Sequence, residues 1–194
     1  MLIRLMIGIL LAALLGGCLT TTHEHFDAKE SVQVPLKGGI YECKANMSLM
    51  PDRGERPPPS IFTSSPDLSL FFETLEIRQL AGKAQYALIG RRTTKVVAFH
   101  TVVDDIYVIA GDGSKPDRYG HWFFRITEGA MSPLWHVKPE ELGALGKRLG
   151  VLVFEEGPGP ATIQGTKADE RAFIEAFVKL PGIQAMSTCT FTRE

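Results

Sequence analysis

Five histidines, three cysteines and a scatter of carboxylates are the residues of this chain whose types and spacing suggest chemistry. His100, His121 and His136 fall on predicted strands, and three imidazoles are a known zinc ligand set. Their spacing matches no zinc signature, however, so no metal site is assigned, and the trio stands only as the basis of an enzyme reading. His23 and His25 sit one residue apart in a polar stretch and read as solvated. Asp112, Ser114 and Asp117 offer oxygens but lack the order of a calcium loop. Glu155 and Glu156 are neighbours on an extended segment, where adjacent side chains point to opposite faces. No Ser lies in a Gly-x-Ser-x-Gly elbow and no glycine run matches a phosphate loop, so no catalytic residue and no cofactor is predicted.

The most specific pattern is at the N-terminus. Arg4 precedes an apolar run from Leu5 to Leu15, the layout of an export signal, and the run is too short to span a bilayer. It ends in Leu15-Gly16-Gly17-Cys18, which resembles the lipobox of bacterial lipoproteins. The resemblance implies cleavage before Cys18, acylation of its sulfur, and an address in the cell envelope. Leu19 follows where an Asp favours inner-membrane retention, so the expected location is the outer membrane, facing the periplasm.

Cys43 and Cys189 then remain in an oxidising compartment, where one intramolecular pairing is open to them. A disulfide between them is expected to join the first strand of the body to the last. Tyr41-Glu42-Cys43, the lipid-anchored start and a Cys near the end resemble the arrangement of membrane-bound C-type lysozyme inhibitors. The chain has no counterpart of that family's Ser-Gly-x-x-Tyr segment, so no inhibitory residue carries over.

These residues need a scaffold, and the composition bounds it. The 194 residues are 44% hydrophobic, with 21 basic and 22 acidic side chains. Such balance excludes a nucleic-acid binder held by bulk charge, and 19 Gly with 12 Pro exclude a mostly helical bundle. The organisation read from sequence is a signal peptide over 1–17, a lipidated Cys18 with a flexible tether over 18–36, and one α+β domain over 37–194.

Within that domain, short β-rich runs separated by turn residues predict an antiparallel meander, curved or partly closed like a barrel. Strands are expected over 40–45, 85–90, 95–103, 106–111, 119–127, 130–137, 151–154 and 184–192. Met50 to Pro66 carries five prolines and is expected to be loop. Leu68 to Leu80 is either helix or strand, read as a helical turn leading into a strand. A short helix starts at Pro139 and stops at Gly150; a second starts at Thr166 and Asp169, carries Phe173, Ile174, Phe177 and Val178, and packs on the sheet.

Alternation along 119–127 sends Trp122, Phe124 and Ile126 to the core. It leaves Tyr119, His121, Phe123 and Arg125 as the candidate binding face. The expected role is that of a non-catalytic binding or scaffolding domain. Its partners beyond the membrane would be an envelope protein, peptidoglycan or a small apolar ligand. An inhibitor or protective lipoprotein acting on an envelope enzyme is one alternative. A metal-dependent or hydrolytic enzyme using His100, His121 or His136 is the other.

Overall fold

The computed structural model describes residues 19–46, 69–91, 93–112, 117–136, 139–154 and 161–194. The Leu15 to Cys18 segment that resembles a lipobox, the proline-rich segment and the Gly157 to Pro160 stretch lie outside the described residues. The described chain is α+β, with mostly antiparallel strands and two α-helices. Its strands are β1 (Leu19–Thr21), β2 (Gly39–Ala45), β3 (Thr74–Gln79), β4 (Gln85–Ile89), β5 (Thr94–Ala98), β6 (His100–Val103) and β7 (Ile106–Asp112). They continue with β8 (Tyr119–Thr127), β9 (Ala130–His136), β10 (Leu152–Phe154), β11 (Ala161–Gln164), β12 (Ile183–Ala185) and β13 (Ser187–Arg193). The helices are α1 (Pro139–Leu149) and α2 (Lys167–Phe177).

Contacts divide the chain into two compact units where one domain is expected. The first holds residues 19–25, 110–122 and 135–184; the second holds 26–109, 123–134 and 185–194. Among the described residues the strand order has two free ends, β10 and β5, and does not close into a barrel.

The second unit is the meander that the turn residues predict. β13 pairs with β2, β2 with β3, β3 with β4 and β4 with β5, all antiparallel. The ambiguous stretch resolves into a 3-10 turn over Ser69–Phe72 followed by β3, in the order read from sequence. The expected strand over 95–103 is two, β5 and β6, separated by Phe99. Phe99 is fully buried, with its ring 5.6 Å from Tyr86 and 5.8 Å from Phe124. Edge-to-face aromatic pairs of this kind add to the area they bury.

Cys43 and Cys189 face each other across the β2–β13 pair and are disulfide-bonded over 146 residues. The expected first-to-last staple is therefore present within this unit. Gly39 opens β2 at φ 138°, and a Cβ there would overlap the backbone carbonyl of Arg193. Only glycine fits where the first and last strands of the meander approach so closely.

The first unit was only partly legible. Its strand order is β10, β11, β1, then the start of β8. α1 begins at Pro139 and ends before Gly150, which sits at φ 68°, the left-handed stop expected of it. Thr166 caps α2, its hydroxyl accepting from the Asp169 amide at 3.2 Å.

The largest departure is at residues 19–25, which the sequence reading assigns to a flexible tether. Leu19, Thr20 and Thr21 instead form a buried strand held on both sides, parallel to β11 and antiparallel to β8. A strand pinned between two neighbours has its backbone hydrogen bonds made within the sheet and cannot act as a loose linker.

Candidate functional site

The polar core of the first unit is built around one carboxylate. Glu170 stands one turn into α2, and its spacing to Phe173, Ile174 and Phe177 puts it on the buried stripe of the helix. Its side chain is fully buried. Oε1 accepts from the Thr22 amide at 3.3 Å, from the Thr22 hydroxyl and from the Gly165 amide at 3.2 Å. Oε2 accepts from the His23 amide at 3.1 Å, His23 Nδ1 at 3.1 Å and His25 Nε2 at 2.9 Å. Two carboxylate oxygens offer about four lone-pair directions, so six donors saturate the group.

The surrounding side chains complete the network. Thr21 donates its hydroxyl to the His23 carbonyl at 2.8 Å, so it accepts from His121 Nε2 at 2.8 Å. His121 lies 6.1 Å from His25, ring to ring. Arg171 donates to the His25 carbonyl at 3.3 Å and pairs with Glu175 one turn along α2 at 3.0 Å. The segment after β1 is thus fastened to α2 through backbone and side chain alike.

Burial and charge set the protonation of these groups. Burial alone would raise the Glu170 pKa, but hydrogen bonds from Thr22, His25, His23 and Gly165 outweigh it and hold the carboxyl below its ordinary range. A position in the first turn of α2 favours the same ionised form. Burial lowers the His25 pKa, against the pull of its hydrogen bond to Glu170 and of that carboxylate's charge, with Lys167 and Arg171 adding to the lowering. His121 is pushed down to about 3, first by burial and then by His25, with the Glu170 charge opposing. The buried core therefore holds one anion and two neutral imidazoles at neutral pH.

A pH dependence follows. In the unfolded chain these two histidines take up protons below about pH 6.5, while in the fold burial resists protonation of both, His121 most strongly, so acid draws the equilibrium toward the unfolded state. Glu170, depressed in the fold, adds to the loss once the pH falls below the unfolded carboxylate value. Stability is expected to decline from about pH 6.5 downward, with His121 contributing a slope of up to one proton, about 1.4 kcal/mol per pH unit, and His25 adding to it. Denaturant midpoints measured from pH 7.5 to 5.0 check this, and a flat series would contradict it.

The three histidines grouped in the sequence reading fall on three different strands, β6, β8 and β9. His121 belongs to the first unit, beside Thr21 and near His25. His100 belongs to the second, its ring 5.4 Å from Phe26. His136 lies at the end of β9, and its side chain is not among those described. His23 and His25 are not solvated in the way expected: His25 is buried against Glu170, and His23 is 43% exposed. Among the described residues no group of three or more His, Cys, Asp or Glu side chains has the geometry of a metal site. Ser114, Glu155 and Glu156 lie outside the described residues.

The candidate binding face on β8 is covered at its centre. His121 is turned into the polar core of the first unit, and Phe123 is buried in the second. Tyr119 is half-buried, and Arg125 is exposed, paired with Asp105 at 3.4 Å. Both faces of β8 carry buried residues, so period-two alternation could not tell a core face from an open one.

Glu170 itself escaped the sequence reading, although a signal for it exists. A glutamate three and four residues before Phe173 and Ile174 interrupts an apolar stripe, and a carboxylate so placed must find donors from another element. The donors are Thr22, His23 and His25, from the segment taken for a tether. Chemically, this arrangement spends the carboxylate inward, leaving His23 as its only part-exposed imidazole. With Nδ1 donating to Glu170, the neutral His23 ring carries its acceptor at Nε2.

No protein-family model, curated protein or solved structure matches this chain.

Proposed function

We propose that the chain is a lipid-anchored protein of the bacterial cell envelope, whose body binds or scaffolds without catalysis. The observation that carries this reading is the sequence Leu15-Gly16-Gly17-Cys18, preceded by Arg4 and an apolar run. Cleavage before Cys18 leaves the strand β1 intact, because Leu19 is the first residue paired with β11 and β8. The disulfide between Cys43 and Cys189 suits an exported protein, since thiols of this kind stay reduced in the cytosol. Several acyl chains on Cys18, each methylene contributing about 0.8 kcal/mol, make an anchor that does not readily dissociate.

A non-catalytic role is favoured by what the polar core does with its reactive groups. Glu170, His25 and His121 are buried and engaged with one another's neighbours, which suits a clamp holding residues 19–25 more than a site receiving substrate.

The test is metabolic labelling with an alkyne fatty acid in a bacterial host, comparing the full-length chain with a Cys18→Ala variant. The expected result is a labelled protein in the membrane fraction and loss of label in the variant. Equal labelling of both, or an unlabelled wild type, overturns the reading.

A further inference from the structure

Large apolar side chains are exposed at few places among the described residues: Leu152 (60%) and Phe154 (39%) on β10, and Val96 (59%) on β5. Two of the three therefore share one strand of three residues. Among the described residues β10 is an edge of the first unit, paired with β11 on one side. Alternation puts Leu152 and Phe154 on one face, while Val153 points to the other, against the position of Gly146 in α1. A Cβ on Gly146 would lie 2.5 Å from Val153 Cγ2, so the helix covers that other face closely. The face bearing Leu152 and Phe154 is the one α1 leaves bare.

Register relates this edge to the N-terminal segment. Phe154 pairs with Thr162, and Thr162 pairs with Thr20. Phe154 thus lies two strand spacings from Thr20, about 10 Å. Leu19, which Cys18 precedes in sequence, pairs with Ala161 beside Thr162, so β1 begins on the Phe154 side of this register. Since Leu19 is fixed in the sheet, no linker separates an acylated Cys18 from the body. An amphipathic surface lying in the headgroup layer buries its apolar side by about 5–10 Å, a depth that Leu152 and Phe154 reach as side chains.

We propose that the β10 edge of the first unit, through Leu152 and Phe154, rests in the interfacial layer of the bilayer that holds the Cys18 acyl chains. This rests on the lipid-anchor reading. The short, apolar edge strand is then covered by lipid, which also blocks the strand-to-strand association that a bare edge invites.

The experiment uses the full-length acylated protein in phosphatidylcholine vesicles, with a nitroxide at Phe154→Cys, at Leu152→Cys, or at Ala168→Cys. Ala168 is exposed in the first turn of α2, beyond the end of β11 opposite to Ala161, and serves as the aqueous reference. Collision with oxygen relative to a water-soluble nickel chelate is expected to be several-fold higher at 154 and 152 than at 168. Equal ratios at all three positions, in protein whose N-terminal peptide carries the acyl mass, overturn the docking surface and leave the anchor standing. An N-terminal peptide without acyl mass overturns the anchor and the docking surface together.

Discussion

Replacing Glu170 by glutamine is expected to lower folding stability by about 3–5 kcal/mol, the cost of breaking a buried, fully engaged charged group. The native carboxylate presents acceptors at both oxygens, three donors converging on each. An amide keeps the shape but turns one oxygen into a donor. If the nitrogen replaces Oε2, it meets the His23 amide, His23 Nδ1 and His25 Nε2, all of which donate in the native tautomers. If it replaces Oε1, it meets the amides of Thr22 and Gly165. Neither orientation satisfies both sets, and an unsatisfied buried donor costs about 1–3 kcal/mol.

The damage should also be local. Residues 22–25 lose their fastening to α2, so amide exchange in that segment is expected to rise before the rest of the first unit opens. Denaturant unfolding and hydrogen exchange of the variant check both parts. A stability change below about 1 kcal/mol with unchanged exchange would mean that the network is not a clamp.

Loss of the disulfide is expected to cost about 4–5 kcal/mol. Cys43 and Cys189 are 146 residues apart, so their bond restricts nearly the whole body of the unfolded chain. They also sit directly opposite each other in β2 and β13, the strands that join the start of the meander to its end. The Cys43→Ser, Cys189→Ser double variant removes both thiols without leaving one to form mixed disulfides. Its denaturation midpoint, compared with that of the oxidised wild type, gives the effect; reduction of the wild type should reproduce it. A double variant as stable as the wild type would show that β2 and β13 need no covalent tie.

The second unit was largely readable because its physics is local. Runs such as 85–89 and 130–136 alternate or concentrate β-formers between turn residues, and successive runs pair with their neighbours. The disulfide was readable from arithmetic on the cysteines and from the compartment that the resemblance of Leu15 to Cys18 to a lipobox implies. The first unit resisted because its decisive contacts are remote. β1 and β11 form a parallel pair from opposite ends of the chain, with Leu19 opposite Ala161, and nothing in either short segment announces its partner.

Polarity misled in the same place. Thr20, Thr21, His23 and His25 read as solvent-facing, yet Thr20 bonds to Thr162 at 2.9 Å, Thr21 to His121, and both histidines to Glu170. Hydrophilic residues can be interior when each finds a partner, and the partners here are 100 or more positions away. The face assignment on β8 failed for a related reason. Where both faces of a strand carry buried residues, as over Gly120 to Phe124, alternation does not reveal which face is open.

The proposed anchor requires Cys18 to be the acylated first residue of the mature chain, one peptide bond from a strand paired on both sides. Mass analysis of the N-terminal peptide of protein recovered from bacterial membranes tests it most directly. The predicted result is a peptide that begins at Cys18 and carries the added mass of its acyl chains. A peptide that begins at Met1, or one with an unmodified Cys18, would contradict it.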